Sequence, residues 1–292
     1  MYRDRIVVNI RRIVQLASTA FVNGYAAGFF KGKIFTGKTK LFCVPVLNCY
    51  SCPGALESCP VGALQAVIGD RKYQFSFYVL GLIMLFGILA GRSVCGFLCP
   101  FGLFQELIHK IPIKKHDLPQ KADKSLRYLK YVILVLFVFI LPMFLTNQYG
   151  MGSPYFCKLI CPAGTLEGGI PLVLLQTGLR DAIGVLFKMK TAILIAVVLS
   201  AVFAYRPFCK YFCPLGALYA LFNKFSFYQI KLDKDQCIHC KVCEKVCKMN
   251  VKITENINSA ECIRCGDCIH ACPEKALYSS FSNIPQKEKM KK

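Results

Sequence analysis

The string Arg92-Ser-Val-Cys95-Gly-Phe-Leu-Cys99-Pro100-Phe-Gly102-Leu-Phe104 and its echo Arg206-Pro-Phe-Cys209-Lys-Tyr-Phe-Cys213-Pro214-Leu-Gly216-Ala-Leu218 decide the fold. Each follows an apolar run, Phe75 to Ala90 for the first and Thr191 to Tyr205 for the second. Phe156-Cys157-Lys-Leu-Ile-Cys161-Pro162-Ala-Gly164-Thr-Leu166 is a third copy, and Cys59-Pro60-Val-Gly62-Ala-Leu64 repeats the second half of the pattern. Such self-similarity reads as a duplication. Each half runs out through a helix, meets a cysteine site, returns through a second helix and meets another. Halves of like topology relate by a pseudo-twofold axis along the membrane normal. Sites on that axis take ligands from both halves, so Cys95 and Cys99 are expected to join Cys209 and Cys213.

Composition agrees with a membrane setting. The 292 residues are 55% hydrophobic, carry a formal charge of +21 and include 18 cysteines but no Trp. That is too apolar for a disordered chain and too poor in charge for an ordinary soluble domain. The basic residues punctuate apolar runs, as in membrane proteins, rather than forming a nucleic-acid surface, so no nucleic-acid partner is expected. Ile13 to Phe30, Phe75 to Ala90, Tyr128 to Leu145 and Thr191 to Tyr205 are the expected crossings, measured against the ~20 apolar residues a bilayer requires. Ala26-Ala27 resembles a signal cleavage site, but the same run makes a first anchor. A fifth stretch, Gly168 to Phe187, contains Pro171 and Arg180-Asp181 and reads as re-entrant, with those two side chains as a supporting ion pair. Basic residues number four in the N-terminal arm, seven between the second and third crossings and fifteen after Tyr205. Four crossings put all three on one side, the cytoplasmic one, in a prokaryotic cell membrane.

Four cysteines at the inner site suit a 4Fe-4S cluster, with zinc as the alternative. The outer site has six claimants: Cys43, Cys49, Cys52, Cys59, Cys157 and Cys161. Cys157 and Cys161 come from the repeat. One alignment adds Cys59 with Cys52 and another adds Cys49 with Cys52, leaving two surplus thiols for a disulfide or a further centre. Proline is preferred at the first position of a helix, so each Cys-Pro is expected to start one whose positive end faces an anionic cluster. Arg92 and Arg206 are expected either to donate to cluster sulfur or to snorkel to the interface.

The C-terminal pattern is Cys237-x2-Cys240-x2-Cys243-x3-Cys247 followed by Cys262-x2-Cys265-x2-Cys268-x3-Cys272-Pro273. This spacing marks a two-cluster bacterial ferredoxin in which the fourth cysteine of each run crosses to the other cluster. Cys237, Cys240, Cys243 and Cys272 form one set; Cys262, Cys265, Cys268 and Cys247 form the second. Lys248 replaces the usual proline, and His239 and His270 are bystanders inside the motifs. The expected architecture is a mainly α membrane protein with duplicated two-helix halves, four transmembrane helices and re-entrant half-helices, plus a small α+β ferredoxin domain. Its parts are a membrane iron-sulfur domain over 1–228 (repeats 1–126 and 127–228), the ferredoxin over 229–280 and a basic tail over 281–292.

The paired Cys-x3-Cys-Pro sites, the string from Asn48 to Gln65 and the terminal ferredoxin together resemble NapH-type membrane polyferredoxins and, more distantly, the iron-sulfur halves of NosR- and CcoG-type proteins. The resemblance covers nearly the whole chain, without the fused flavin-binding domain of NosR-type proteins. It implies electron transfer between a cytoplasmic or quinol pool and an extracytoplasmic redox partner. The leading expectation is a conduit with four 4Fe-4S clusters, fed by a cytoplasmic ferredoxin or flavoprotein and drained by an extracytoplasmic flavoprotein or cytochrome. A quinol dehydrogenase using Glu106, His109 and Asp117 for protons, with quinone as partner, is the second. A redox sensor or a metal or disulfide reductase using the surplus outer thiols is the third. The sequence has neither a haem-attachment motif nor a Gly-rich nucleotide fingerprint.

Overall fold

The computed structural model describes residues 2–69, 77–115, 119–146, 152–181 and 183–281, the side chains of residues 2–9 and 120 excepted. His116, Asp117 and the tail after Phe281 lie outside the described residues.

The chain opens with α1 (Tyr2–Val22) and α2 (Ala26–Lys31). The unbroken crossing expected over Ile13 to Phe30 is corrected here, because the helix stops at Asn23. The Asn23 and Asn48 side-chain amides exchange two hydrogen bonds, 3.0 and 3.2 Å, and the Tyr25 N–H goes to the Gly54 carbonyl instead of up its own helix. Gly28 allows this close approach, since a Cβ there would stand 2.1 Å from the Pro53 carbonyl oxygen. Nor is α1 uniformly apolar. Arg11, Gln15 and Ser18 share one helical face, and Gln15 and Ser18 donate to the carbonyls of Gly96 and Leu98 at 2.9 and 3.0 Å.

A buried strap from Val44 to Leu47 leads to α3 (Pro60–Gly69). There follow α4 (Phe77–Ala90), α5 (Ser93–Phe97), α6 (Pro100–His109) and α7 (Gln120–Ile133). The last continues through a π-helical turn, Leu134–Ile140, into α8 (Leu141–Phe144). Then come α9 (Tyr155–Leu159), a second π turn at Gly164–Gly169, α10 (Ile170–Leu175), α11 (Thr177–Arg180) and α12 (Val185–Phe203). Each π turn ends two residues before a proline, Pro142 or Pro171, which has no N–H for the regular ladder. Lys121–Phe144 and Val185–Phe203 are long and apolar enough to cross a membrane, whereas α4 has 14 residues. The stretch from Gly168 to Phe187 is no single helix, because extended backbone at Gln176 separates α10 from α11. Arg180 donates to the Val173 and Leu174 carbonyls at 3.2 and 2.7 Å, which replaces the ion pair expected with Asp181.

The membrane part closes with α13 (Pro207–Tyr211) and α14 (Pro214–Phe222), so the order α4, α5, α6 recurs as α12, α13, α14. Val94, Phe101, Phe208 and Leu215 from the two copies meet in one core. A second core, including Ile230, Met249, Val251, Ile253, Ile263 and Leu277, sits under the antiparallel pair β1 (Ile230–Leu232) and β2 (Leu277–Ser279). Short helices α15 (Val242–Lys245) and α16 (Asp267–Ala271) flank it.

Candidate functional site

Helical backbone starts at Pro60, Pro100, Pro162 and Pro214, one residue after a cysteine in each case. Where polar residues usually cap a helix, a sulfur does so: Cys99 and Cys213 Sγ accept the Gly102 and Gly216 N–H groups, each at 3.4 Å. The positive helix end therefore faces the sulfur that an anionic centre needs held.

Cys95, Cys99, Cys209 and Cys213 line one small cavity, walled by Pro45, Val46 and Leu47 of the buried strap. Cys49, Cys59, Cys157 and Cys161 line a second cavity of about 350 Å³. Of the six sequence claimants this cavity brings these four together and leaves out Cys52, which both alignments kept. The Cys49-to-Cys52 turn is closed by a Cys52 N–H to Cys49 carbonyl bond of 3.0 Å, and the Cys52 sulfur accepts from the Gly54 and Ala55 N–H groups. Cys43 pairs by its backbone with Ser58 and is also outside the lining. In the C-terminal part, Cys237, Cys240, Cys243 and Cys272 line a third cavity, and Cys247, Cys262, Cys265 and Cys268 line a fourth.

All 18 cysteines are free thiols. Among the described residues, no group of three or more His, Cys, Asp or Glu side chains is close enough to hold a single metal ion. Four cysteines around one cavity are the donor set of a 4Fe-4S cluster. Burial pushes the Cys95 thiol up to about 11, and burial with the neighbouring Asp267 pushes Cys265 up to about 12. Without a cation such thiols keep their protons, so loading these sites releases protons.

Arg92 and Arg206 are wholly buried, which excludes snorkelling, and their bonds go to carbonyls and carboxylates. They cross over between halves: Arg92 Nη2 donates to the Cys209 carbonyl (3.0 Å) and Arg206 Nη1 to the Cys95 carbonyl (2.6 Å). Arg206 also pairs with Glu106 at 2.8 Å, beside Arg11 at 3.0 Å and the Tyr205 hydroxyl. Arg92 pairs with Glu261 at 2.7 Å, which Lys130 also contacts. Glu106 is therefore occupied by charge partners, while His109 Nδ1 lies 3.1 Å from the Ala201 carbonyl. Sequence reasoning passed over Gln65 and Gln105, buried residues each six positions beyond a Cys-Pro cysteine. Their shared offset was the available signal.

The cavities also adjoin one another. Leu47 lines both membrane cavities. Gly96 of α5 lies against Ile263, where a Cβ would stand 2.5 Å from the carbonyl oxygen. Arg92 reaches from the Cys209 carbonyl to that of Ala260 at 2.7 Å, two residues before Cys262. Cys240 is exposed, at the far end of the series.

A family described as "4Fe-4S binding domain" matches residues 74–119 and again 191–234, and one described as "4Fe-4S dicluster domain" matches 229–273. Two uncharacterized proteins of Methanocaldococcus jannaschii are 31% and 35% identical, over 76% and 70% of this chain and 78% of each relative. The putative electron transport protein YccM of Escherichia coli is 28% identical over 76% of this chain and 62% of its own length. The ferredoxin-type protein NapH of Haemophilus influenzae is 24% identical over 67% and 64%. No solved structure matches. Duplicated cysteine motifs, a dicluster terminus and these relatives place the chain in the family of membrane iron-sulfur electron-transfer proteins that includes NapH and NosR.

Proposed function

We propose that the protein is a transmembrane electron conduit, with a cytoplasmic ferredoxin or flavoprotein as donor and an extracytoplasmic flavoprotein or cytochrome as acceptor. Four 4Fe-4S clusters, supplying one-electron exchange, would be held by Cys237, Cys240, Cys243 and Cys272; by Cys247, Cys262, Cys265 and Cys268; by Cys95, Cys99, Cys209 and Cys213; and by Cys49, Cys59, Cys157 and Cys161. The observation that carries this reading is continuity. Leu47 is shared by the two membrane cavities, and Arg92 and Gly96 tie the inner one to the ferredoxin beside Cys262. The chain's own part is to hold thiolates at helix starts, exclude water with the strap from Val44 to Leu47, and neutralise buried charge with Arg92 and Arg206. Glu106, fixed between Arg11 and Arg206, is poorly placed to shuttle quinol protons, which favours the conduit.

Anaerobic reconstitution in liposomes tests it. A membrane-impermeant reductant added on the ferredoxin face should reduce all four clusters by EPR, with iron near roughly 16 per chain. Reduction confined to the ferredoxin pair, or an iron count near roughly 8, overturns the proposal.

A further inference from the structure

Gln65 and Gln105 make the same contacts at two different cavities. Gln65 Oε1 accepts the Phe156 N–H at 2.9 Å, and its Nε2 lies 3.4 Å from Cys157 Sγ. Gln105 Oε1 accepts the Phe208 N–H at 3.1 Å, and its Nε2 lies 3.1 Å from Cys209 Sγ. Each glutamine comes from the first half and grips a Phe-Cys pair of the second. A backbone N–H can only donate, so its bond fixes the flip of each amide and turns the NH2 toward sulfur. The equivalent positions of the second half are Glu167 and Tyr219, which act on backbone instead. Glu167 accepts the Cys49 N–H and Tyr219 donates to the Pro45 carbonyl, both at 2.8 Å. Each membrane cavity thus receives one side-chain amide donor on one sulfur.

We infer that Gln65 and Gln105 are positioning residues that raise the reduction potentials of the outer and inner membrane centres through N–H···S bonds to Cys157 and Cys209. This rests on the cluster assignment proposed above. Reduction adds one electron, and the added negative charge is shared with the ligand sulfurs. A donor aimed at a sulfur therefore favours the reduced state, and hydrogen bonds to sulfur are among the terms that set such potentials. Both amides are buried, where a bond to a charged acceptor is strong. An amide neither gains nor loses a proton near neutrality, so its contribution does not vary with pH.

The test is an EPR-monitored redox titration of the full-length protein in detergent. Gln105→Leu should weaken reduction of the inner centre alone and Gln65→Leu that of the outer centre alone, each by about tenfold, or about 59 mV for one electron. The ferredoxin centres serve as internal controls, and the shift should be equal at pH 7 and pH 8. In parallel, wild-type protein carrying ¹⁵N-amide glutamine should show nitrogen coupling at both membrane centres by pulsed EPR. Unchanged potentials in variants with four clusters overturn the inference. If the leucine variants fail to assemble a cluster, absence of the ¹⁵N coupling in the wild type overturns it and its presence upholds it. A wild-type protein without membrane clusters refutes the assignment itself, a separate result.

Discussion

The inner and outer cavities start from the same Cys-Pro helix motif, yet they are built differently. Two intact Cys-x3-Cys-Pro copies meet at the inner one, where buried Arg92 and Arg206 cross between halves and the strap from Val44 to Leu47 closes the wall. The outer one combines one intact copy, Cys157 and Cys161, with Cys49 and Cys59 from a split motif. Its charged neighbours include Glu167, on the Cys49 N–H, and Lys190, on the Cys157 carbonyl at 3.1 Å. Duplication therefore fixes the motif at both places, while the packing around it leaves a tight inner cavity and a roomier outer one.

Ligand removal probes the comparison most severely. Cys209→Ser and Cys59→Ser should each remove one cluster, about four of roughly 16 irons by chemical analysis. Cys43→Ser and Cys52→Ser should remove none; loss of iron from Cys52→Ser would restore the sequence alignments. Next in size are the cations. Arg206→Met breaks a buried ion pair and should cost about 3–5 kcal/mol in denaturant unfolding, whereas Lys190→Met forfeits a hydrogen bond from a charged donor, about 1.5–3 kcal/mol. Equal losses would erase the contrast between the two cavities.

Glycines give a finer comparison, with a change of sign. A Cβ at Gly102 would stand 3.1 Å from the Arg206 guanidinium, and one at Gly216 would stand 3.2 Å from the Cys209 carbonyl oxygen. At Gly62 and Gly164 the nearest atoms are 3.8 and 3.7 Å away. Overpacking of about 1–3 kcal/mol should outweigh a helix gain of up to about 1 kcal/mol at the inner pair, so alanine there destabilises. At the outer pair those atoms are the Cys157 and Cys49 sulfurs and the protein itself imposes no clash, so in the cluster-free protein alanine should be neutral or stabilising by thermal melt.

The smallest effect expected is that of pH. Burial works to raise the Glu106 carboxyl, but Arg206 and Arg11, the Tyr205 hydroxyl and Lys248 outweigh it and hold it below the usual range. A depressed folded value means that the unfolded chain takes up the proton first. Its contribution is full at neutral pH and drains away as pH falls through about 4.3 and below. The stability gap between wild type and Glu106→Gln should narrow over that window in paired denaturation curves; a constant gap would show that Glu106 carries no net charge stabilisation.

Much of this was legible in the chain. Cysteine spacing specifies the crossed ferredoxin sets, because ligands three residues apart wrap one cluster and the fourth must reach its neighbour. Repetition of Arg92 to Leu103 at Arg206 to Ala217 specifies which four cysteines meet at the inner cavity. The lining of the outer cavity was illegible by alignment, since string similarity cannot tell which of six cysteines folding brings to one wall. The break after α1 was hidden for a like reason: Asn23 and Asn48, 25 residues apart, read as ordinary polar residues until folding pairs them. The sequence by itself determined the metal chemistry and the duplication, because both are local spacings of ligand and helix signals. The tertiary structure alone decided that Cys49 and Cys59 share the outer wall, that Glu106 and Glu261 neutralise the buried arginines, and that Leu47 lines both cavities. Those are contacts between residues far apart in the chain, and they exist only once the halves close on each other.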